Sequence, residues 1–416
     1  MLSRRRFLAS LGAASLGLGA CESSSGYTRG PMWAGAGKLP VIVVGGGMAG
    51  CAAAHYLAKM GARAIVFERD RIARDLSMHG GAELAYRWGP TSPWGRDEQG
   101  DDLHAALAAR SLEGWRAIER ETQIEILREN GLLVYGDAAE ETKALLEKHH
   151  VPFESLDAEQ MAKRWAVKPK TPAGLFEKTS GALWADRALA AFRKSAAAGG
   201  VVFREGESVV GYERLDRETI RVRTSKRETA FGSSLVLAAG AWTNDLLAHQ
   251  HLRLDLEIGS MLWGHYAVDP AAAGRFPQWL RLSSGGSCWG FPAHEGRIRV
   301  AVDGGARAAS MASFVKDADA KRAGLLDELL HDEWDGVKEK VALQCSPFAV
   351  TRDESFVLDV LPGEPPIAIF CGERGQGFRF APVIGQSLAE LATGRRPTVE
   401  TGPLSVARPA AGLTRI

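Results

Sequence analysis

The chain of 416 residues has only five cysteines, at positions 21, 51, 288, 345 and 371. None forms a CxxC pair or a Cys/His cluster, so no metal site is expected. A chain of this length buries enough apolar surface to do without disulfide staples. Net charge is also missing: 51 Lys and Arg stand against 50 acids, a formal +1, which leaves no field for nucleic acid. No Ser/His/Asp arrangement stands at convincing spacing. His149-His150 closes an apparent helix, and His249 and His251 lack an acid partner. Aromatics are a modest 8%, but eleven of them are Trp, which suits aromatic-lined pockets as well as core packing.

What is present begins with Ser3-Arg4-Arg5-Arg6-Phe7-Leu8, the twin-arginine pattern, followed by a weakly apolar stretch from Ala9 to Ala20. That stretch is too short to span a bilayer as a mature helix. Residues 1–20 therefore read as a twin-arginine signal peptide, which implies the twin-arginine export machinery and a periplasmic or cell-envelope destination. Leu18-Gly19-Ala20-Cys21 resembles a lipobox, which would make the mature protein a lipoprotein anchored to the membrane through Cys21. A plain signal-peptidase cut nearby is the alternative. Residues 21–38, rich in Ser and Gly, read as a flexible tether. Export in the folded state suggests a cofactor loaded before transport.

The run V-I-V-V-G-G-G-M-A-G from Val41 to Gly50 supplies an independent reason for a cofactor. Gly45, Gly47 and Gly50 occupy the three positions of G-x-G-x-x-G, with Met48 and Ala49 between the last two. Val41 to Val44 read as a buried parallel strand, Cys51 to Met60 as a helix, and Ala64 to Phe67 as the next strand. Glu68 closes that strand 18 residues beyond Gly50. The unit is a β-α-β dinucleotide fingerprint. Its glycines bring backbone N–H groups and a helix dipole to a pyrophosphate, and Glu68 accepts from a ribose.

FAD and NAD share this fingerprint, and the rest of the chain separates them. The βαβ reading breaks after Glu68, and a long polar helix follows from roughly Asp101 to Asn130. A second βαβ-like unit runs from Ala182-Leu183-Trp184 through a helix opened by Asp186 to Val201-Val202-Phe203. A meander including Ile220 to Thr224 leads to the buried strand Ser234 to Leu237. Near the C-terminus, Gly372 to Phe378 is a glycine-rich loop before a helix from about Pro382 to Thr393, aiming a second positive dipole at an anionic point. One extended cofactor touched from both ends of the chain fits FAD better than NAD.

These motifs together resemble the D-amino-acid-oxidase-like FAD oxidoreductases, within them the monomeric sarcosine oxidase and N-methyltryptophan oxidase group. The carriers are V-I-V-V-G-G-G-M-A-G, G-L-F-E-K-T-S-G-A-L-W-A-D (Gly174 to Asp186) and L-V-L-A-A-G-A-W-T-N-D-L-L (Leu235 to Leu247). C-W-G-F-P (Cys288 to Pro292), D-E-S-F-V-L-D (Asp353 to Asp359) and G-E-R-G-Q-G-F-R-F (Gly372 to Phe380) complete the set. The resemblance implies an α/β fold, α+β overall. A Rossmann-like FAD-binding domain (39–118, 172–248 and 349–400) carries an inserted antiparallel-sheet substrate domain (119–171 and 249–348). It implies a monomer that oxidises a C–N bond of a small-molecule amino acid or secondary amine, with oxygen or a quinone-type acceptor taking the electrons. A flavin dehydrogenase or tailoring enzyme for a larger amine, and a non-catalytic flavin-binding protein, are the alternatives.

Residue by residue, the resemblance places Arg69, His79, Gly240, Trp242, Gly375, Gln376, Gly377 and Phe378 at the cofactor. Arg379 stands where the group has a carboxylate-holding lysine, and Gln376 where it has histidine. Glu83 and Tyr86 replace two expected arginines, and Arg299 falls near the lysine that assists oxygen. Alternation puts Arg297 and Arg299 on one strand face and Ile298 and Val300 on the other. Cys345 lies near the group's flavin-linking cysteine, its spacing to Asp353 one residue longer. It reads as a covalent flavin attachment or as a small buried core cysteine.

Overall fold

The computed structural model describes residues 38–72, 83–86, 98–137, 139–283, 286–302, 305, 307–315 and 320–416. The expected signal peptide, Cys21 and His79 lie outside the described residues, as do the side chains of Glu83 and Tyr86.

The valines of Val41–Val44 form the centre of a six-stranded sheet. Its order is Val357–Leu361, Ile367–Cys371, Ser234–Leu237, Val41–Val44, Ala64–Glu68, Val202–Glu205. All pairings are parallel except the edge pair Val357–Leu361 with Ile367–Cys371. A central parallel strand needs apolar residues on both faces, and the chain supplies them. Val41 and Val43 face a helical layer, while Ile42 and Val44 face the meander Val209–Asp216, Thr219–Thr224 and Thr229–Gly232.

The helical layer consists of Met48–Lys59 flanked by Ala185–Ala198 and Ala381–Ala392. Small residues set its spacing. A Cβ on Gly385 would stand 2.5 Å from the Ala52 backbone, and one on Gly199 2.6 Å from Ala58 Cβ.

A second sheet of eight strands has the order Val337–Thr351, Leu256–Val268, Arg297–Val302, Gly286–Gly290, Trp279–Ser283, Leu132–Gly136, Ala173–Glu177, Phe153–Asp157. Its pairings are antiparallel apart from Trp279–Ser283 with Leu132–Gly136. Its longest member, Val337–Thr351, ends beside the C-terminal glycine loop through the bridge between Val350 and Glu373.

Three expectations are corrected. Gly181–Trp184 does not open a second parallel unit. It pairs antiparallel with Glu83–Tyr86 and Leu127–Arg128 in a separate three-stranded sheet. Ala173–Glu177, expected on the FAD-binding side of 172, belongs to the eight-stranded sheet. The polar helix is Glu98–Thr122 and stops well before Asn130. There Gln123 turns left-handed at φ 58°, and Glu119 accepts the N–H groups of Ile126 and Leu127.

His55, on Met48–Lys59, is buried at 2% exposure, with Nδ1 2.7 Å from Ser195 Oγ; that hydroxyl donates to Glu121. Burial lowers the imidazole to about 4, against a smaller opposite pull from Glu121. A folded-state pKa below the unfolded 6.5 makes His55 stabilising above that value and costly as pH falls toward 4. The change is on the order of 2–3 kcal/mol. Thermal melts between pH 6.5 and 4 are expected to lose less stability in His55→Gln than in the native chain, and equal slopes would contradict this.

Candidate active site

The first strand, the helix Met48–Lys59 and the loop between them build a cradle of bare backbone. Gly45 has φ +103°, and a Cβ there would lie 2.3 Å from Ala238 O; a Cβ on Gly50 would lie 1.8 Å from Gly45 O. Neither position accepts a side chain without moving backbone. Glu68, 8% exposed, accepts from Gly46 N at 2.7 Å and Asp70 N at 2.9 Å. A carboxylate has lone pairs to spare beyond these two, and Glu68 lines the cavity.

That cavity, about 420 Å³, starts at Gly45–Ala49 and Phe67–Arg69 and passes Gly240 and Trp242. It ends at Met261, Trp263, Ser346 to Ala349, Gly375 and Phe378. Gly240, at φ +53°, has nothing within 4 Å of a would-be Cβ. Arg69 lies over the Trp242 ring at 3.5 Å, and both line the wall. Most expected cofactor residues are therefore brought together. Three described ones are not on this wall: Gly50 packs behind it on Gly45, Gly377 packs on Glu373 and Phe370, and Gln376 lines a smaller chamber.

The second anionic point needs correction. The loop before Gly377–Phe380 was expected to offer its N–H groups to the cofactor. Instead Glu373 Oε2 accepts from Gly377 N at 2.9 Å. Burial pushes the Glu373 carboxyl above its ordinary value, opposed by N–H groups of residues 375–377. Glu373 itself lines the cavity, so the chain supplies its own carboxyl to this loop.

The strand register decides the cysteine question. Met261 pairs with Ser346 and Leu262 with Cys345, and directly opposed residues share a sheet face. Met261 and Ser346 line the cavity; Leu262 and Cys345 do not. The extra residue between Cys345 and Asp353 thus sets Ser346 on the wall. Cys345 is a free, half-buried thiol on the other face, not the buried core cysteine expected. Ser346 Oγ is buried without a partner among the described residues, as a group awaiting a ligand would be.

Beyond the shared residues Met261, Trp263, Gly375 and Phe378 lies a smaller chamber of about 60 Å³. Arg379 enters it at 3% exposure. The guanidinium is 4.5 Å from the Phe380 ring, and Nη2 donates to Gln376 Oε1 at 3.4 Å. Trp115 fixes this turn by donating to Arg379 O at 2.9 Å and stacking on Phe378. Arg379 is therefore no solvated helix-start arginine, and Gln376 faces the chamber rather than the larger cavity.

Arg299 is 8% exposed, not a surface strand charge, while Arg297 on the hairpin end is exposed. Its guanidinium lies 4.7 Å from the Trp263 ring and 4.4 Å from Phe291. It lines neither cavity and reaches both only through Trp263. Opposite it, His265 is held below its ordinary pKa by burial and then by Arg299 and Arg297. Sequence reasoning missed Glu373, Ser346, Trp263, Trp279 and Gln278; of these Ser346, beside Cys345, and Glu373, inside the loop Gly372 to Phe378, had a signal nearby.

A model of the DAO family, FAD dependent oxidoreductase, matches residues 40–391. The chain belongs to this family. The FAD-dependent oxidoreductase is 28% identical over 373 residues to monomeric sarcosine oxidase of Bacillus sp. (strain NS-129), covering 85% of this chain and 92% of that protein. It is 28% identical over 391 residues to human peroxisomal sarcosine oxidase, covering 88% and 95%. Its fold is similar to the open form of NikD, an unusual amino acid oxidase essential for nikkomycin biosynthesis. The TM-score is 0.78 at 24% identity, covering 89% of this chain and 98% of that one. The mixed α/β fold is that of FAD-binding members of the family, and FAD is its cofactor. The cavity fits that group: a cradle closed to side chains at one end, an orphaned hydroxyl at the other, and one continuous space between.

Because the wall residue is Ser346, native protein is expected to release all of its flavin on denaturation and to show the mass of the bare polypeptide. Gly50→Ala is expected to purify with less than a tenth of the native flavin absorbance per chain while keeping its far-UV dichroism. A flavin that stays with the denatured chain would contradict the wall assignment.

Proposed function

We propose that this oxidoreductase oxidises the C–N bond of a carboxylate-bearing amine, an amino acid or N-alkyl amino acid, with oxygen as acceptor. When bound, FAD supplies the hydride acceptor. The observation that carries the reading is the buried Arg379 in a chamber sharing walls with the FAD cavity. A guanidinium takes a carboxylate through a planar fork, so Arg379 anchors the acid end of the substrate. Trp263 and Phe378 close the space against water, and Arg299 adds positive charge behind Trp263. Two guanidiniums near a bound ammonium favour its neutral form, the form that has a lone pair to expel hydride. Glu83 is the residue we assign to greet the incoming amine.

Arg299 favours a second reading as well. Arginine holds positive charge but releases no proton, so a dehydrogenase passing electrons to a quinone-type carrier is the alternative to an oxidase. Oxygen uptake with peroxide release separates the two.

Anaerobic mixing with a panel of amino acids, N-methyl amino acids and polyamines is expected to bleach the flavin with carboxylate-bearing amines only. Arg379→Met is expected to lower kcat/KM by about 10- to 200-fold, the loss of a charged hydrogen-bonded contact, mostly through KM. Bleaching by polyamines, or an unchanged KM, would remove the carboxylate reading.

We further propose export by the twin-arginine route, possession of a lipid at Cys21 being one form of the mature protein. Its support is the Arg4-Arg5 pair and the lipobox-like Leu18 to Cys21. Replacing Arg4 and Arg5 by lysine is expected to retain flavin-loaded protein in the cytoplasmic fraction, and unchanged envelope fractionation would overturn the proposal.

A further inference from the structure

The chamber beside the FAD cavity contains a polar group that the reading above leaves unused. Gln278 is 1% exposed and lines the chamber, and among the described residues neither Nε2 nor Oε1 of its side chain has a hydrogen-bond partner. Its backbone is committed: Gln278 O accepts from Leu133 N at 2.9 Å, which holds the residue at the start of strand Trp279–Ser283. Burying both ends of an amide without partners is costly, and native interiors rarely tolerate it. Trp263 Nε1 and Trp279 Nε1 are further buried donors on this wall with no partner among the described residues. The chamber thus offers donors from Arg379, Gln278, Trp263 and Trp279, and an acceptor from Gln278 Oε1.

Size narrows the ligand. At about 60 Å³, against the 10–15 Å³ that one water needs, the chamber holds about four to six non-hydrogen atoms. That is the size of an amino-acid head group: one carbon, its carboxylate and its nitrogen. Among the described residues no carboxylate side chain lines the chamber, and aromatic rings of Trp279, Trp289 and Phe378 fill the remaining wall. Gly290 makes room for one of these rings, since a Cβ there would stand 2.3 Å from Trp279 Nε1.

We infer that Gln278 is a specificity-determining residue that reads the head of the substrate. Nε2 donates to the carboxylate held by Arg379, and Oε1 accepts from the N–H of the adjacent nitrogen. The inference rests on the carboxylate reading of Arg379 and deepens it. The preferred substrate has a donor group on the carbon next to its carboxylate, so an α-amino acid or a secondary N-alkyl α-amino acid is taken and a plain carboxylate is bound less well.

The test uses two unreactive probes matched in atom count, glycolate and propionate, titrated by calorimetry into the FAD-loaded full chain. Glycolate offers an O–H beside its carboxylate; propionate offers a methyl. Native protein is expected to bind glycolate about tenfold more tightly, the worth of one good buried hydrogen bond. In Gln278→Leu the preference is expected to vanish or reverse. In Arg379→Met both probes are expected to weaken at least tenfold with the preference retained. A native preference near unity, or a preference unchanged in Gln278→Leu, overturns the role of Gln278 and leaves the amide to buried water. Equal binding of both probes by native protein and Arg379→Met overturns the carboxylate anchor instead, so the two failures are distinct. Should Gln278→Leu not fold, the native ratio alone decides.

Discussion

The contact on which the molecule depends is backbone against backbone, where Gly50 sits so close to Gly45 that a Cβ would come within 1.8 Å of its carbonyl oxygen. That approach brings the helix Met48–Lys59 down onto the central strand Val41–Val44. It leaves the loop between them without side chains, as a pyrophosphate requires. The neighbours follow from it. Ala52 and Ala58 accept Gly385 and Gly199 at van der Waals limits, so two more helices dock on the first. The helix Ala381–Ala392 that docks through Gly385 is the one preceded by Gly375, Phe378 and Arg379. Seating the cofactor cradle therefore also seats the turn that faces the substrate chamber, although the two are more than 300 residues apart in sequence.

The charges in this region are managed by two different devices. The acids are satisfied by backbone: Glu68 takes the N–H of Gly46 and Asp70, and Glu373 takes that of Gly377. Each stiffens the glycine loop it caps. The arginines are laid on aromatic faces: Arg69 on Trp242, Arg299 on Trp263 and Phe291, Arg379 on Phe380. A guanidinium tolerates such a ring because it is planar and weakly hydrated, where an ammonium would hold more water. Trp and Arg are thus used together, and four of the eleven tryptophans, Trp242, Trp263, Trp279 and Trp289, line the two cavities.

Much of the cofactor half was legible in the sequence because its signals are local. Four β-branched residues, three glycines at fixed spacing and an acid at the next strand end need no long-range knowledge. Gly181–Trp184 was misplaced for the complementary reason. A short apolar run specifies a strand but not its partner, and the antiparallel partner Glu83–Tyr86 lies far upstream. The end of Glu98–Thr122 was missed because its polar pattern continues past Thr122, while the stop comes from tertiary bonds that Glu119 makes to Ile126 and Leu127. Cys345 and Ser346 show how finely register matters. One inserted residue exchanges which of two neighbours faces the cavity, and motif spacing reports the insertion without saying which side chain it turns inward. Gln278 had no signal at all, since a lone glutamine ahead of a strand is ordinary until its burial is known.

Arginine in the substrate chamber, at Arg379, and behind Trp263, at Arg299, has a consequence for the chemistry. A buried lysine can lose its proton and adapt its charge to the reaction; a buried arginine cannot. With Arg299 and Arg379 the positive charge around Trp263 is fixed over the whole accessible pH range, and the depressed His265 adds none. The adaptable partner in this neighbourhood is Glu373, whose burial favours the protonated carboxyl and which lines the cavity itself. Charge that cannot change thus sits in and behind the smaller chamber, while Glu373, the acid whose burial favours its neutral form, lies on the wall of the larger cavity.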